Sequence, residues 1–178
     1  PASIDAAVKL DPTSATARYK FAQAQLAAGD IEKSQASFQL ALDLDPMPWR
    51  PPSASQDALR EAAQEHGAAL CDLQGAFRAA DGGPIGWDLM DDHVHPSLKG
   101  QDLVARTIVK TLTTMRGPCA VKPEAYAALP SFERYADRLG ANDYDRYGVS
   151  HQMRVLASIP FFKETNPRFL ERCESTCR

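Results

Sequence analysis

The sequence predicts a mixed fold: helical repeat units over residues 1–46, an α/β unit over 47–114 and a helical extension over 115–178. Three observations predict it. A short pattern recurs at a fixed helical period near the start. An apolar run of strand length sits between two amphipathic helical stretches. Beyond residue 115, cap and stop residues bracket a series of short helices. The 178 residues are 44% hydrophobic and 24% charged, which supplies enough apolar side chain for a core. The formal net charge is −3, so no basic excess draws a phosphate backbone, and nucleic acid is not an expected partner. No apolar run approaches the ~18 residues of a membrane helix. Four cysteines are too few for a disulfide scaffold of this length.

The repeat is read from Ala7-Val8-Lys9-Leu10-Asp11-Pro12 against Ala41-Leu42-Asp43-Leu44-Asp45-Pro46. The two prolines, and the two alanines, lie 34 residues apart. Ala22, Ser34 and Ala41 are small where paired helices must approach closely. Phe21, Leu26, Phe38 and Leu42 supply apolar faces, Gly29-Asp30 makes the turn, and Pro12 and Pro46 close helices. The stretch resembles a tetratricopeptide repeat, one copy at 15–46 preceded by the last helix of another, with Arg18 where an aromatic is usual. The resemblance implies a protein partner. The chain opens without a Met on residues that read as a helix end, so it is expected to be part of a longer protein.

Pro48-Trp49-Arg50-Pro51-Pro52 reads as a rigid connector. Ser53 is expected to start a helix, with Gln56 at capping-box spacing; Leu59, Ala62 and Ala63 form its stripe and Gly67 stops it. Ala68-Ala69-Leu70-Cys71-Asp72-Leu73 fits a buried parallel strand. A Gly- and Pro-rich loop follows, then a helix carrying Leu103, Val104, Ile108 and Leu112. Helix–strand–loop–helix makes an αβα unit at the edge of a parallel sheet.

The chemistry is expected at Asp92 and His95, three residues apart just before a helix. A carboxylate so close accepts a bond from one imidazole nitrogen, fixes the tautomer and leaves the other nitrogen free to take a proton. Pro96 keeps His95 out of the helix. Asp92-His93-Val94-His95-Pro96-Ser97-Leu98-Lys99-Gly100 resembles the last motif block of the SGNH (GDSL-type) ester hydrolases, and the preceding loop with Ile85-Gly86-Trp87-Asp88-Leu89-Met90 fits as well. The order of repeat, Pro-Trp-Arg connector and motif is similar to a bacterial subgroup with repeats between the two parts of the hydrolase domain. The resemblance covers roughly residues 1–114. It implies the C-terminal portion of a three-layer αβα, flavodoxin-like domain. It implies His95 as general base, Asp92 as orienting acid, a small-molecule or carbohydrate ester as substrate and no cofactor.

No Gly-Asp-Ser occurs, since Gly29-Asp30 is followed by Ile31, and the asparagines are Asn142 and Asn166 alone. The family's nucleophile and oxyanion donors are therefore missing, and this chain is expected to be inert while the parent protein hydrolyses esters. The rival from a different class is a repeat-based interaction module whose hydrolase-like part is dead. His93-x-His95 beside two aspartates has zinc donor types, but no strand carries it and no metal is expected. Gly148-Val149-Ser150-His151 only echoes a nucleophile elbow and reads as helix surface.

In the tail, Ser131 to Leu139 predicts a helix stopped by Gly140. Asn142 caps a longer one ending before Pro160, and Asn166-Pro167 opens the last. Tyr144, Tyr147 and Val155 are expected to pack, and Phe161-Phe162 to dock the tail on the core. Cys173 and Cys177 read as plain thiols near a frayed end, with a pairing of Cys119 to either left open.

Overall fold

Residues 2–177 are described by a computed structural model. Helix α1 (Ala2–Leu10) precedes an antiparallel pair, α2 (Ala15–Ala27) and α3 (Ile31–Asp43). Ser14 caps α2 by accepting the Ala17 N–H at 3.2 Å. Gly29 takes φ +83° in the turn to α3, a conformation that a side chain disfavours. Ala22 and Ser34 are both fully buried, and Ala41 and Val8 nearly so, so the small residues do sit at the helix crossing. Tyr19 and Phe38 meet edge to face at 5.4 Å across the pair.

Helix α4 (Ser53–Glu65) starts differently from expectation. Pro52 holds the N-cap position, and no capping box forms. The Ser53 amide and hydroxyl both donate to the Asp43 carboxylate at 2.8 Å, which ties the end of α3 to the start of α4. Gln56 instead donates to the Pro51 carbonyl. Burial pushes the Asp43 carboxyl up, but the Ser53 and Gln39 donors outweigh it and leave the pKa lowered. Gly67, at φ +61°, stops the helix.

The expected α/β architecture does not form. Among the described residues there is no strand and no sheet, only an isolated antiparallel bridge between Met90 and Pro96. Residues 68–72 run as irregular chain, and Leu73 already belongs to helix α5 (Leu73–Asp81). The physical reason is twofold. A strand needs a neighbouring backbone to take its N–H and C=O groups, and none of the described residues offers one. Asp72 meanwhile accepts the Gly75 N–H at 2.9 Å and nucleates the helix.

Helix α6 (Leu98–Leu112) packs on α5 around buried Phe77, Leu89 and Met90, with Ile85, Leu103 and Val104 against them. Helices α7 (Pro123–Ala127) and α8 (Phe132–Arg138) lie along α6, where Arg106 pairs with Asp102 at 2.7 Å and donates to the Pro130 carbonyl. Asn142 opens α9 (Asp143–Ala157) with a full capping box to Asp145. Helices α10 (Pro160–Thr165) and α11 (Pro167–Thr176) fold back on α9 around a second core of Ala157, Phe169 and Cys173.

Two expectations for the tail are corrected. Tyr144 is 87% exposed and Tyr147 and Val155 are also on the surface, because α9 turns its other face, with Met153 and Leu156, to α11. Cys173 is not a frayed thiol but a core residue, 2% exposed, whose pKa burial raises. All four cysteines are free.

The last helices also reach the first ones. Lys20 on α2 donates to the carbonyls of Glu164 and Thr165, at 2.9 and 2.8 Å, and so satisfies the end of α10. Gln39 on α3 accepts from Gln74 and Arg78 on α5. No helix among the described residues is long and apolar enough to cross a membrane.

Candidate functional site

The loop between α5 and α6 is anchored at its base and closed at its neck. Leu89 and Met90 are buried in the first core. The Asp91 N–H donates to the His95 carbonyl at 2.9 Å, and the Ser97 N–H to the Leu89 carbonyl at 3.0 Å. Ser97 caps α6 by accepting the Gly100 N–H, and its hydroxyl donates to the Asp88 carbonyl at 2.8 Å. Gly100 sits against the Leu89 backbone: a Cβ there would run into the Leu89 carbonyl oxygen and lie 3.0 Å from the Pro96 Cβ. Only a glycine lets the first turn of α6 approach the neck this closely.

Inside that neck Asp92 organises the tip. Its side chain is 2% exposed. One carboxylate oxygen accepts the backbone N–H groups of Val94 and His95, both at 2.7 Å. The other lies 2.7 Å from His95 Nδ1. Burial acts to raise the Asp92 pKa, but the two backbone donors and the imidazole overcome it, and the carboxyl ends below its ordinary value. An ionised carboxylate only accepts, so Nδ1 carries a proton, and the neutral ring in this tautomer has its lone pair on Nε2. The His95 side chain is 74% exposed, and no described residue is hydrogen-bonded to Nε2.

The structure thus brings together the two residues singled out in the sequence, with the imidazole held by its carboxylate and open to approach. The two imidazoles of His93-x-His95 do not converge: the His93 ring packs at 5.1 Å from both Trp49 and Phe162. No group of three or more His, Cys, Asp or Glu that would hold a metal occurs among the described residues. Both His93 ring nitrogens are buried without a partner among the described residues, and burial lowers its pKa, so this imidazole is neutral. Ser150 and His151 lie within α9 and share no hydrogen bond with the loop.

Other residues around the loop were given no role in the site by the sequence, though Arg50 and Trp87 lie in stretches that fit the family pattern. Arg50 Nε donates to the His93 carbonyl at 2.7 Å. Trp87 stacks on Phe169 of α11 at 4.8 Å, and the Arg172 guanidinium lies over the Trp87 ring at 5.1 Å while donating to its carbonyl. Asp91, half-buried, has its pKa raised by burial against the opposing charge of Arg172. Of the Phe161-Phe162 pair expected to dock the tail, Phe162 alone reaches the loop, at the His93 ring, and also meets Phe169 within the tail, whereas Phe161 is 63% exposed. The connector and the last three helices therefore clasp the loop from outside. The Pro-Trp-Arg connector and the Phe161-Phe162 pair were the traces of this in the sequence. No protein-family model, curated protein or solved structure matches the chain.

Proposed function

We propose that Asp92 and His95 are the orienter and general base of an ester hydrolase, and that a hydroxyl outside the described residues is its nucleophile. The 2.7 Å contact between the buried carboxylate and the exposed imidazole is the observation that carries this reading. His95 Nε2 takes the hydroxyl proton as the oxygen bonds to the ester carbonyl carbon, and Asp92 stabilises the imidazolium. The same proton passes to the leaving alcohol as the C–O bond breaks. Water, deprotonated by His95 in turn, then releases the acid from the acyl intermediate. The reading rests on the dyad and requires no sheet. Acylated sugars and other small carboxylic esters are its substrate class.

The test is turnover of p-nitrophenyl acetate by the complete gene product. His95→Ala is expected to lower kcat by about 10³-fold or more. Asp92→Asn, which offers a donor to Nδ1 and inverts the tautomer, is expected to lower it by about 10⁴-fold. Unchanged turnover in folded His95→Ala removes the imidazole from the mechanism. A second reading, a helical adaptor, is favoured by the exposed Leu10, Leu26 and Leu40 of the first three helices. Absence of turnover with every ester tried leaves that reading standing.

A further inference from the structure

The guanidinium of Arg50 has an unusual position. One of its five N–H donors is engaged by the His93 carbonyl, and no other described group accepts from it. No carboxylate lies within ion-pair distance of it. The nearest functional acid, Asp92, feels its charge but already accepts two backbone N–H groups and the His95 imidazole. The carbonyl that holds Arg50 is two residues before His95, so chain geometry keeps the two Cα atoms within about 7.6 Å. Arg50 and Trp49 are both exposed residues, Trp49 at 68%, while packing around the Arg50 guanidinium desolvates it and lowers its pKa against the opposing pull of Asp92 and Tyr19. A charged, forked donor with N–H groups left unengaged is therefore tied to the same loop that presents the dyad, within the field of Asp92.

We propose that Arg50 binds a carboxylate on the substrate, so that the site selects anionic esters over neutral ones. This deepens the hydrolase reading and rests on it for the word substrate. The Nε anchor fixes the plane of the fork, which leaves its Nη groups to meet a planar carboxylate with two parallel hydrogen bonds. A substrate held by both groups presents its carboxylate to Arg50 and its scissile carbonyl to His95 Nε2, with an aromatic ring or a sugar between them. Arg50 is a substrate-positioning residue here and takes no part in proton transfer.

The test compares three acetyl esters of similar shape on the complete gene product: 3-acetoxybenzoate, its methyl ester and 3-acetoxyphenyl phosphate. The expected result is a kcat/KM for the carboxylate at least about tenfold above that for the methyl ester. In Arg50→Gln that ratio falls toward one, mainly through KM, and Arg50→Lys restores part of it. A ratio near one in the unaltered protein, or a ratio that Arg50→Gln leaves intact, overturns the proposal. A tenfold preference for the phosphate overturns its carboxylate assignment. A parallel titration of the 178-residue chain with 3-hydroxybenzoate follows the Arg50 Nε–H signal by NMR, with the His95 Nδ1 proton reporting that the loop is intact. Saturable binding, lost in Arg50→Gln, without turnover of any ester sinks the hydrolase reading and keeps the anion site. Turnover without binding or selectivity does the reverse, and failure of both removes both.

Discussion

Gly100→Ala tests how the loop is held. A methyl at this position meets the Leu89 carbonyl oxygen head on, and approaches the Leu89 carbonyl carbon at 3.1 Å and the Pro96 Cβ at 3.0 Å. Backbone cannot swing away as a side-chain end can, so either α6 or the loop neck must move. Overpacking of this kind costs about 1–3 kcal/mol. Moving the Leu89 carbonyl also weakens its bond from the Ser97 N–H, about 1 kcal/mol more. Alanine's better helix propensity returns about 1 kcal/mol. The net expectation is a loss of about 1–3 kcal/mol in urea unfolding, accompanied by broadening or loss of the low-field His95 Nδ1 proton signal. A Gly100→Ala protein as stable as the parent, with that signal unmoved, would refute the claim that only a glycine lets the first turn of α6 approach the loop neck this closely.

Three further outcomes are expected. The Asp92 pKa is lowered on folding, so its contribution to stability is complete above the unfolded carboxylate value and is lost as pH falls through the folded one; Asp92→Asn should flatten the acid limb of a stability-versus-pH curve below about pH 4. His93 is half-buried, but both its ring nitrogens are buried and unpartnered among the described residues, and burial lowers its pKa, so its protonation opposes folding as pH falls below about 6.5. His93→Phe keeps the contacts with Trp49 and Phe162 and should gain about 1–3 kcal/mol, more at pH 5 than at pH 8, in urea titrations at the two values; a loss at both would mean the ring nitrogens are satisfied. Phe169→Ala removes the ring stacked on Trp87 and should cost about 3–5 kcal/mol, with Cys173 becoming reactive to a thiol reagent; a protected Cys173 would show that α9 and α11 hold without it.

Helix ends and the candidate site were legible in the sequence because short-range bonds make them. Ser131 and Asn142 open helices as expected, each capping one through a backbone N–H two or three residues on, and Ser14 and Ser97, which were not singled out in the sequence, do the same. The Asp92–His95 contact also spans three residues, and a turn closes it without help from distant chain. The aromatic clasp is another matter: Trp49, His93 and Phe162 are far apart in sequence, and no local pattern joins them.

Helix α5 was not legible in the sequence, and the expected cap of α4 did not form. What the sequence alone determined, then, was the turn and small residues of the first helix pair, the ends of several helices such as α8 and α9, and the register of carboxylate and imidazole. These depend on φ preferences, cap bonds and residue spacing, all of which act within a few positions. Only the tertiary structure decided that residues 68–73 make no strand, that Cys173 lies in a core, and that Arg50 stands beside the loop. Each of those depends on which distant backbone or side chain arrives as a neighbour. An apolar run of six residues fits a strand or the approach to a helix equally well until a partner strand is present or absent.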